Sequence, residues 1–388
     1  MLVHIFGARD SPTCANYAIK RVARDNFHDF SPMTVEAALK SFYVNDLLKA
    51  VMTDDLAITL LKELIDLLKK CGMRLTKFFS NSKVVLDSLP ASELSASAAL
   101  TVDGSEALER ALGVIWNALE DIFTFVANLP RAPVTKRGVL KTTSSLFDPM
   151  GFLIPFILAA KVILQELWSI GCGWDEVIPD LYQKQWEKWL AGSQKVSLVK
   201  LNRRYHVDDR QVSEIQLHIF CDASELAYAC VAYLRMTMKD GEHVTSFVMS
   251  KSRLAPIKTI TLPRLELNAA VIGARLSRLI IHEIDLPIER IQYWTDSTLT
   301  LQYLTNETHR TKVYVANRVT DVKEIAPPEL WTHIPGHLNP ADVASRGVMD
   351  PEKLLKNNWF TGAEFLRRDE EHWPKLVPGE LSSNIECP

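Results

Sequence analysis

The stretch QLHIFCDASELAYACVAYL, residues 216–234, decides the fold of this chain. Its first part is apolar-rich and alternating, which predicts a strand over Gln216–Cys221. Its second part predicts another strand over Ala227–Leu234. Asp222 closes the first of these strands, so its carboxylate is expected at the end of a sheet element.

The segments that follow predict the rest of a sheet with helices on its faces. Further strands are predicted over His243–Met249, Ile291–Thr295 and Glu329–His333. Helices are predicted over Pro263–Ile281, Ser297–Leu304 and Val313–Ile325, with a last helix starting near Asp342. The order β-β-β-α-β-α-α-β-α predicts an α/β fold with a five-stranded mixed sheet.

The length of 388 residues indicates two or three domains. Ser- and Ala-rich residues 88–105 are typical of a linker, residues 116–213 are mostly helical, and the tail has weak periodicity. Trp186 and Trp189 are expected in a core rather than as platforms for stacked bases. The predicted domains are 1–115, 116–213, 214–347 and a tail over 348–388.

Bulk composition narrows the class of protein. The net charge of −3 excludes a strongly basic nucleic-acid binder, so nucleic-acid contacts would need a local basic face or bridging metal ions. Six cysteines without a CxxC pair argue against a zinc site or disulfide scaffold. The apolar run Met150–Ala160 is too short to span a bilayer. We expect a soluble intracellular protein, in the cytoplasm or nucleus, without a membrane partner.

Four acids fall at the ends of predicted elements and could converge on one edge of the sheet. They are Asp222, Glu266, Asp296 and Asp342. Clustered carboxylates repel one another unless cations are present, and hard oxygen ligands suit Mg²⁺ or Mn²⁺. Two such ions can activate a water and stabilise the leaving oxygen of a phosphodiester. We therefore expect the four carboxylates within bridging reach of two ions.

Each acid also has a structural explanation. Asp222 precedes Ala-Ser and could cap a turn, and Asp296 could begin a helix. Asp342 could be an acid in a first helical turn, which the helix dipole favours. Glu266 is harder to explain this way, because it abuts an apolar stripe.

The segments FCDASELAYAC, TLPRLELNAA, YWTDSTLTLQYL and HIPGHLNPADVASRG resemble the ribonuclease H domain of Pao/BEL-type long-terminal-repeat retrotransposon polyproteins. The runs NPADVASRG and LPRLEL are specific to that group. The resemblance implies that Asp222, Glu266, Asp296 and Asp342 are its four metal-binding acids, and that His337 in a loop helps with water or product release. An exposed loop histidine without a role explains His337 equally well.

The resemblance extends to both sides of this domain. TKRGVLKTTSSLFDPMGFLIPFILAAKVILQELW resembles the region that connects ribonuclease H to the polymerase, and NNWFTGAEFL resembles the segment after it. FGARDSPTCANYAIKR resembles a reverse-transcriptase segment in which Ser11 contacts template or nucleotide. Tyr43-Val44-Asn45-Asp46 resembles the metal-binding turn of the polymerase palm, whose first aspartate is Asn45 here.

An amide offers Mg²⁺ one weak ligand and no charge. The resemblance also places a third polymerase acid before the start of this chain. We therefore expect a truncated, defective reverse transcriptase. A palm half without its partner strands could also expose a sheet edge.

The resemblance implies an Mg²⁺-dependent nuclease that cuts the RNA strand of an RNA–DNA hybrid. Four basic residues near Glu266 could supply the local basic face, or could be solvated surface charges: Lys251, Arg253, Lys258 and Arg264. The alternatives are a non-catalytic protein that binds nucleic acid or a polyprotein-derived partner, and transposon debris without a role. The sequence predicts no oligomeric state.

Overall fold

The computed structural model describes residues 10–43, 46–98, 108–111, 114–126, 128–205, 211–305 and 312–375. The chain divides into two compact units. Unit 1 comprises residues 1–109 and 116–121, and unit 2 comprises residues 110–115 and 122–388. The predicted boundaries at 115, 213 and 347 remain predictions.

Unit 1 packs helices around a small apolar core. Its helices are α1 Ser11–Asp25, α2 Pro32–Lys40, α3 Asp54–Lys69 and α4 Lys83–Asp87. Strands β1 Phe42–Tyr43 and β2 Asp46–Leu47 pair antiparallel. Glu63 of α3 accepts hydrogen bonds from the hydroxyls of Ser31 (2.5 Å) and Thr34 (2.6 Å), which ties α2 to α3. The assignment of this unit to a polymerase palm remains a prediction.

Four short strands precede the large sheet in sequence. They are β3 Leu108–Ala111, β4 Val114–Asn117, β5 Ile122–Thr124 and β6 Lys200–Asn202. Strands β5 and β6 pair antiparallel within unit 2. The segment between them carries helices, as predicted for residues 116–213.

The centre of unit 2 is the predicted five-stranded mixed sheet, which is confirmed. Its strands are β7 Val212–Ala223, β8 Ala227–Met238, β9 His243–Leu254, β10 Arg290–Thr295 and β11 Trp331–His333. Their order across the sheet is β9-β8-β7-β10-β11. Strands β7 to β9 form an antiparallel meander, and β10 pairs parallel with both β7 and β11. The first three strands are longer than predicted.

Helices cover both faces of this sheet. They are α5 Lys136–Ser145, α6 Ile154–Ser169, α7 Asp180–Ser193, α8 Leu262–Glu283, α9 Thr298–Thr305, α10 Val313–Lys323, α11 Ala341–Arg346 and α12 Glu352–Lys356. On one face α8 buries Leu265, Ala269, Ile272 and Leu276 against β7 and β8. Its Gly273 permits this approach, because a Cβ there would lie 2.3 Å from Cys221 Sγ. No helix among the described residues is long and apolar enough to cross a membrane.

The opposite face is covered by α6, α11 and the segment after α12. Trp189 stacks on Phe156 and is fully buried, and Trp186 is buried beside it, so the expectation that these aromatics are core is confirmed. Trp359 is also fully buried, and its indole donates to Phe152 O at 2.8 Å. The sheet face therefore depends on residues both before and after it in sequence.

Candidate active site

The sheet topology brings the acids of β7 and β10 to the same edge. Asp222 is the penultimate residue of β7, and Asp296 directly follows β10. Thr295 is the partner of Cys221 in the parallel register, so the residue after each is an aspartate. Because parallel strands end at the same edge, the two carboxyl groups lie side by side.

Two helices complete the set from opposite faces of the sheet. Glu266 lies in the second turn of α8, one turn later than expected from the sequence, and Asp342 lies in the first turn of α11. Asn339 fixes the entry to α11, because its amide donates to Cys221 O at 3.0 Å and its oxygen accepts from the N–H of Ala341 at 3.1 Å. The start of α11 is thereby attached to the end of β7.

Asp222 is the most perturbed member of the set. Burial, followed by the negative charges of Asp296 and Asp342, raises its pKa to about 8. A hydrogen bond from the hydroxyl of Ser345 acts in the opposite direction. A hydrogen bond between the carboxyl groups of Asp222 and Asp296 favours the proton on Asp222. The pair therefore holds a proton at neutral pH when no cation is present.

Burial and neighbouring charges also shift the pKa values of Asp296 and Glu266. Burial raises the pKa of Asp296, the charge of Asp342 adds to this, and the charge of His333 opposes it. Burial also raises the pKa of Glu266, and Asp296 contributes to that shift. The hydroxyl of Ser297 donates to Glu266 Oε2 at 2.5 Å and partly offsets it.

Asp342 is held at the outer side of the site. Its carboxylate is 38% exposed and forms an ion pair with Arg346, one turn later on α11. The negative charges of Asp342, Asp222 and Asp296 all raise the pKa of Arg346. No three of the four acids bring carboxylate oxygens within 4.8 Å of one another.

Among the described residues, a different group does meet that spacing. Asp369, Glu371 and His372 place three ligand atoms within 4.8 Å of one another, and all three side chains are exposed. They lie within four consecutive residues of the chain, so sequence proximity explains their closeness.

Several residues that hydrogen-bond the acids, act on them by charge or anchor the elements that carry them were not identified from sequence. They are Ser297, His333, Asn339, Ser345 and Arg346. Ser297 directly follows an acid, and Ser345 and Arg346 lie one turn after Asp342, so helical spacing could have indicated them. His333 ends the short strand β11 beside β10, and only the sheet register reveals it.

The remaining predicted site residues lie around or away from this edge. His337 is exposed in the short 3₁₀ turn Gly336–Leu338. That turn passes close to the acids, because a Cβ on Gly336 would lie 3.0 Å from Asp296 Oδ2. His337 therefore directly follows a residue, Gly336, that lies close to the carboxylate of Asp296.

The four basic residues do not form one surface. Lys251 and Arg253 are exposed on the edge strand β9, and Lys258 is exposed in the loop before α8. Arg264 is half-buried, with its guanidinium 5.3 Å from the centre of the Tyr314 ring. Arg264 therefore packs against α10.

The predicted polymerase residues belong to unit 1. Ser11 begins α1, Tyr43 ends β1 and is 64% exposed, and Asp46 begins β2 and is exposed. Asn45 lies outside the described residues. The role of this turn as a degenerate polymerase site remains a prediction.

A comparison with protein-family models matches residues 135–297, less than half of the chain. The matching model is described as the Pao retrotransposon-like RNaseH-like domain. The chain carries a Pao retrotransposon RNaseH-like domain. The predicted retrotransposon origin is confirmed, and so is a ribonuclease H-like fold for the five-stranded unit. The match begins at α5, so this family's domain includes the helices that precede the sheet.

Solved structures with similarity to the chain fall into two kinds. The N-terminal RNase H domain of a Mycobacterium tuberculosis protein, fused to maltose-binding protein, is 10% identical and aligns over 34% of this chain and 94% of its own, with a TM-score of 0.25. An RNase H1 in complex with RNA/DNA hybrid is 13% identical over 37% of this chain and 99% of its own, with a TM-score of 0.22.

A foamy viral protease–reverse transcriptase in complex with dsDNA is 15% identical over 85% of this chain and 59% of its own, with a TM-score of 0.18. Comparison with curated proteins found no match.

Proposed function

We propose that this RNaseH-like domain cleaves the RNA strand of an RNA–DNA hybrid with the help of divalent cations. The observation that carries the proposal is the buried pair Asp222 and Asp296, whose carboxyl groups lie side by side. Burial and mutual repulsion raise the pKa of Asp222 to about 8. Such an arrangement is costly for the fold unless bound cations relieve it.

The donor set fits Mg²⁺ or Mn²⁺. Asp222, Glu266, Asp296 and Asp342 offer oxygen ligands only, which is the chemistry that these hard ions prefer. Bound there, two ions would supply an activated water and neutralise the charge that develops on the phosphodiester.

The chain's own residues orient this set. Ser345 and Ser297 donate to the carboxyl groups of Asp222 and Glu266 and fix their direction. Arg346 balances the charge of Asp342 at the exposed side, where a phosphate can reach it. The exposed His337 stands beside this opening and is a candidate to exchange protons with solvent during product release.

The test is cleavage of a labelled RNA–DNA hybrid by the full chain with and without Mg²⁺. We expect cleavage of the hybrid and not of duplex DNA, and its loss in Asp296→Asn. Asp285→Asn is the matched control, because Asp285 is an exposed aspartate outside the site. Absence of cleavage by the folded protein, or equal cleavage by Asp296→Asn, would overturn the proposal.

A second candidate function is binding of nucleic acid without cleavage. It is favoured by the ion pair between Asp342 and Arg346, which occupies one carboxylate. It is also favoured because no three of the four acids have carboxylate oxygens within 4.8 Å of one another. It predicts a salt-dependent affinity for the hybrid without turnover. For unit 1 we propose no nucleotide addition, because Asn45 replaces an acid in the turn.

A further inference from the structure

A groove lies between the edge strand β9 and helix α6, on the sheet face that carries Asp222. It has a volume of about 270 Å³ and is lined by Ile154, Leu158, Lys161, Ser252, Arg253 and Leu254. Its floor is apolar, and its two charged lining residues are both cationic. An anion is therefore the ligand that its charge favours.

Neither cation is neutralised by a near neighbour. Among the described residues, no carboxylate lies within 4.0 Å of the side-chain nitrogens of Lys161 or Arg253. The carboxylate whose pKa Lys161 lowers is Asp148, and its two oxygens accept the N–H groups of Phe152 (2.9 Å) and Leu153 (2.7 Å). Lys161 thus retains capacity for another anion.

The groove also contains an unused hydrogen-bonding group. The hydroxyl oxygen of Ser252 is buried and has no hydrogen-bond partner among the described residues. A buried hydroxyl without a partner costs roughly 1–3 kcal/mol, so its presence beside two cations points to a ligand with acceptor oxygens.

The sheet register places this groove at a defined distance from the acids. Asp222 pairs with Ala229, and Ala229 pairs with Ser252, so the three residues form one row across the sheet. Strands are separated by about 4.8 Å, so Ser252 lies about 10 Å from Asp222.

Helix α6 is fixed to the catalytic elements at its first turns. Ser250 of β9 donates its N–H to Met150 O (2.9 Å) and its hydroxyl to Gly151 O (2.6 Å), just before α6. Val348, two residues after α11, donates to Pro155 O at 2.9 Å. Lys161 is therefore held in a constant position relative to the helix that carries Asp342.

From this geometry we infer that the groove binds a backbone phosphate of the nucleic acid whose RNA strand lies at the four acids, with Lys161 as its principal cation. Arg253 lines the same groove, and the hydroxyl of Ser252 donates to a phosphate oxygen. The inference rests on the proposed function and adds a binding residue from the helical region before the sheet.

The test is the affinity of the full chain for a fluorescent RNA–DNA hybrid, measured by anisotropy in EDTA at about 50 to 200 mM salt. We expect Lys161→Ala to weaken binding about three- to tenfold and to reduce the slope of log K against log salt by about 0.9, the value for one phosphate contact. Lys161→Arg should retain the slope. Ser252→Ala should weaken binding without changing the slope, because its hydroxyl is uncharged.

Arg278→Ala is the matched control, since Arg278 is exposed on α8 about 18 Å along the helix from Glu266. An unchanged slope in Lys161→Ala, or an equal loss in Arg278→Ala, would overturn the inference. Because cleavage is not measured, this failure leaves the proposed nuclease untouched. Conversely, an inactive protein that binds the hybrid with the expected slopes would retain the groove and exclude only the nuclease.

Discussion

The two ends of the central sheet differ in whether their buried charged groups have partners within the chain. At the end of β7 and β10, the carboxyl groups of Asp222 and Asp296 face each other and repel. At the other end of the sheet, fully buried Arg235 of β8, which pairs with Gln216 near the start of β7, donates to Leu366 O (2.8 Å) and Arg368 O (3.1 Å). The ring of Trp373 lies 5.1 Å from its guanidinium. One end has charges that need a ligand, and the other has charges that the chain satisfies.

Further hydrogen bonds and ion pairs surround Arg235 at its end of the sheet, which we call the satisfied end. Glu370 accepts from Arg290 at 2.8 Å and from Gln216 at 3.1 Å. His218 is fully buried, and burial lowers its pKa well below the usual range, so it remains a neutral acceptor for the indole of Trp294 at 3.1 Å. The difference indicates that stability is maintained at one end and cation binding at the other.

The largest effect is expected on hybrid cleavage, from a substitution at the end of the sheet that carries Asp222 and Asp296. Asp222→Asn should reduce hybrid cleavage by about 10³-fold or more, since several kcal/mol of charge stabilisation depend on the ions. At a pH above about 8 and without Mg²⁺, its melting temperature should exceed that of the wild type, because Asp222 is then ionised and the substitution removes its repulsion with Asp296. Rates and melting curves of the same preparation measure both effects, and a less stable variant would indicate that Asp222 is structural.

The next effect is expected at the satisfied end. Arg235→Met should lower the free energy of unfolding by about 3 kcal/mol, because it leaves buried carbonyl groups and Gln216 without a donor. Arg275→Met is the matched control, since Arg275 forms an exposed ion pair with Asp321, and it should cost less than about 1 kcal/mol. Urea unfolding measures both, and equal losses would contradict the comparison.

The two ends also differ in their response to pH. The pKa of Asp222 in the folded protein, about 8, lies above its value of about 3.9 in an unfolded chain. The folded state therefore binds the extra proton, and its stability should fall as pH rises from about 4 to 8. Thermal melting without divalent cations should show this decline. Mg²⁺ or Asp222→Asn should flatten it, and an unchanged decline in Asp222→Asn would assign it to other groups.

The smallest effect is expected from Ser345→Ala. Its hydroxyl lowers the pKa of Asp222, so its loss should move the pH dependence of cleavage toward higher pH by up to about one unit, the equivalent of one hydrogen bond of about 1 kcal/mol. Ser213→Ala, which removes a hydroxyl from the start of β7, is the control and should leave the profile in place. A fall in rate without a shift would contradict the role of Ser345.

The same comparison shows what the sequence could predict. Element order and the position of acids at strand ends were sufficient to place Asp222 and Asp296 together, because a parallel register brings strand ends to one edge. The contacts of Arg235 with Leu366 and Arg368 were not predictable, since they join residues more than 130 positions apart and the tail has no clear periodicity. The ion pair of Asp342 with Arg346 was not identified from the sequence either, because a sequence does not give the direction of a side chain.

The most direct test of the central claim is a titration of Mn²⁺ into the full chain, followed by electron paramagnetic resonance of the free ion. The variants are Asp296→Asn at the sheet edge and Glu371→Gln in the exposed group with Asp369 and His372. We predict that Asp296→Asn abolishes Mn²⁺ binding and that Glu371→Gln retains it. Binding that persists in Asp296→Asn and disappears in Glu371→Gln would contradict the assignment of the catalytic site to the sheet edge.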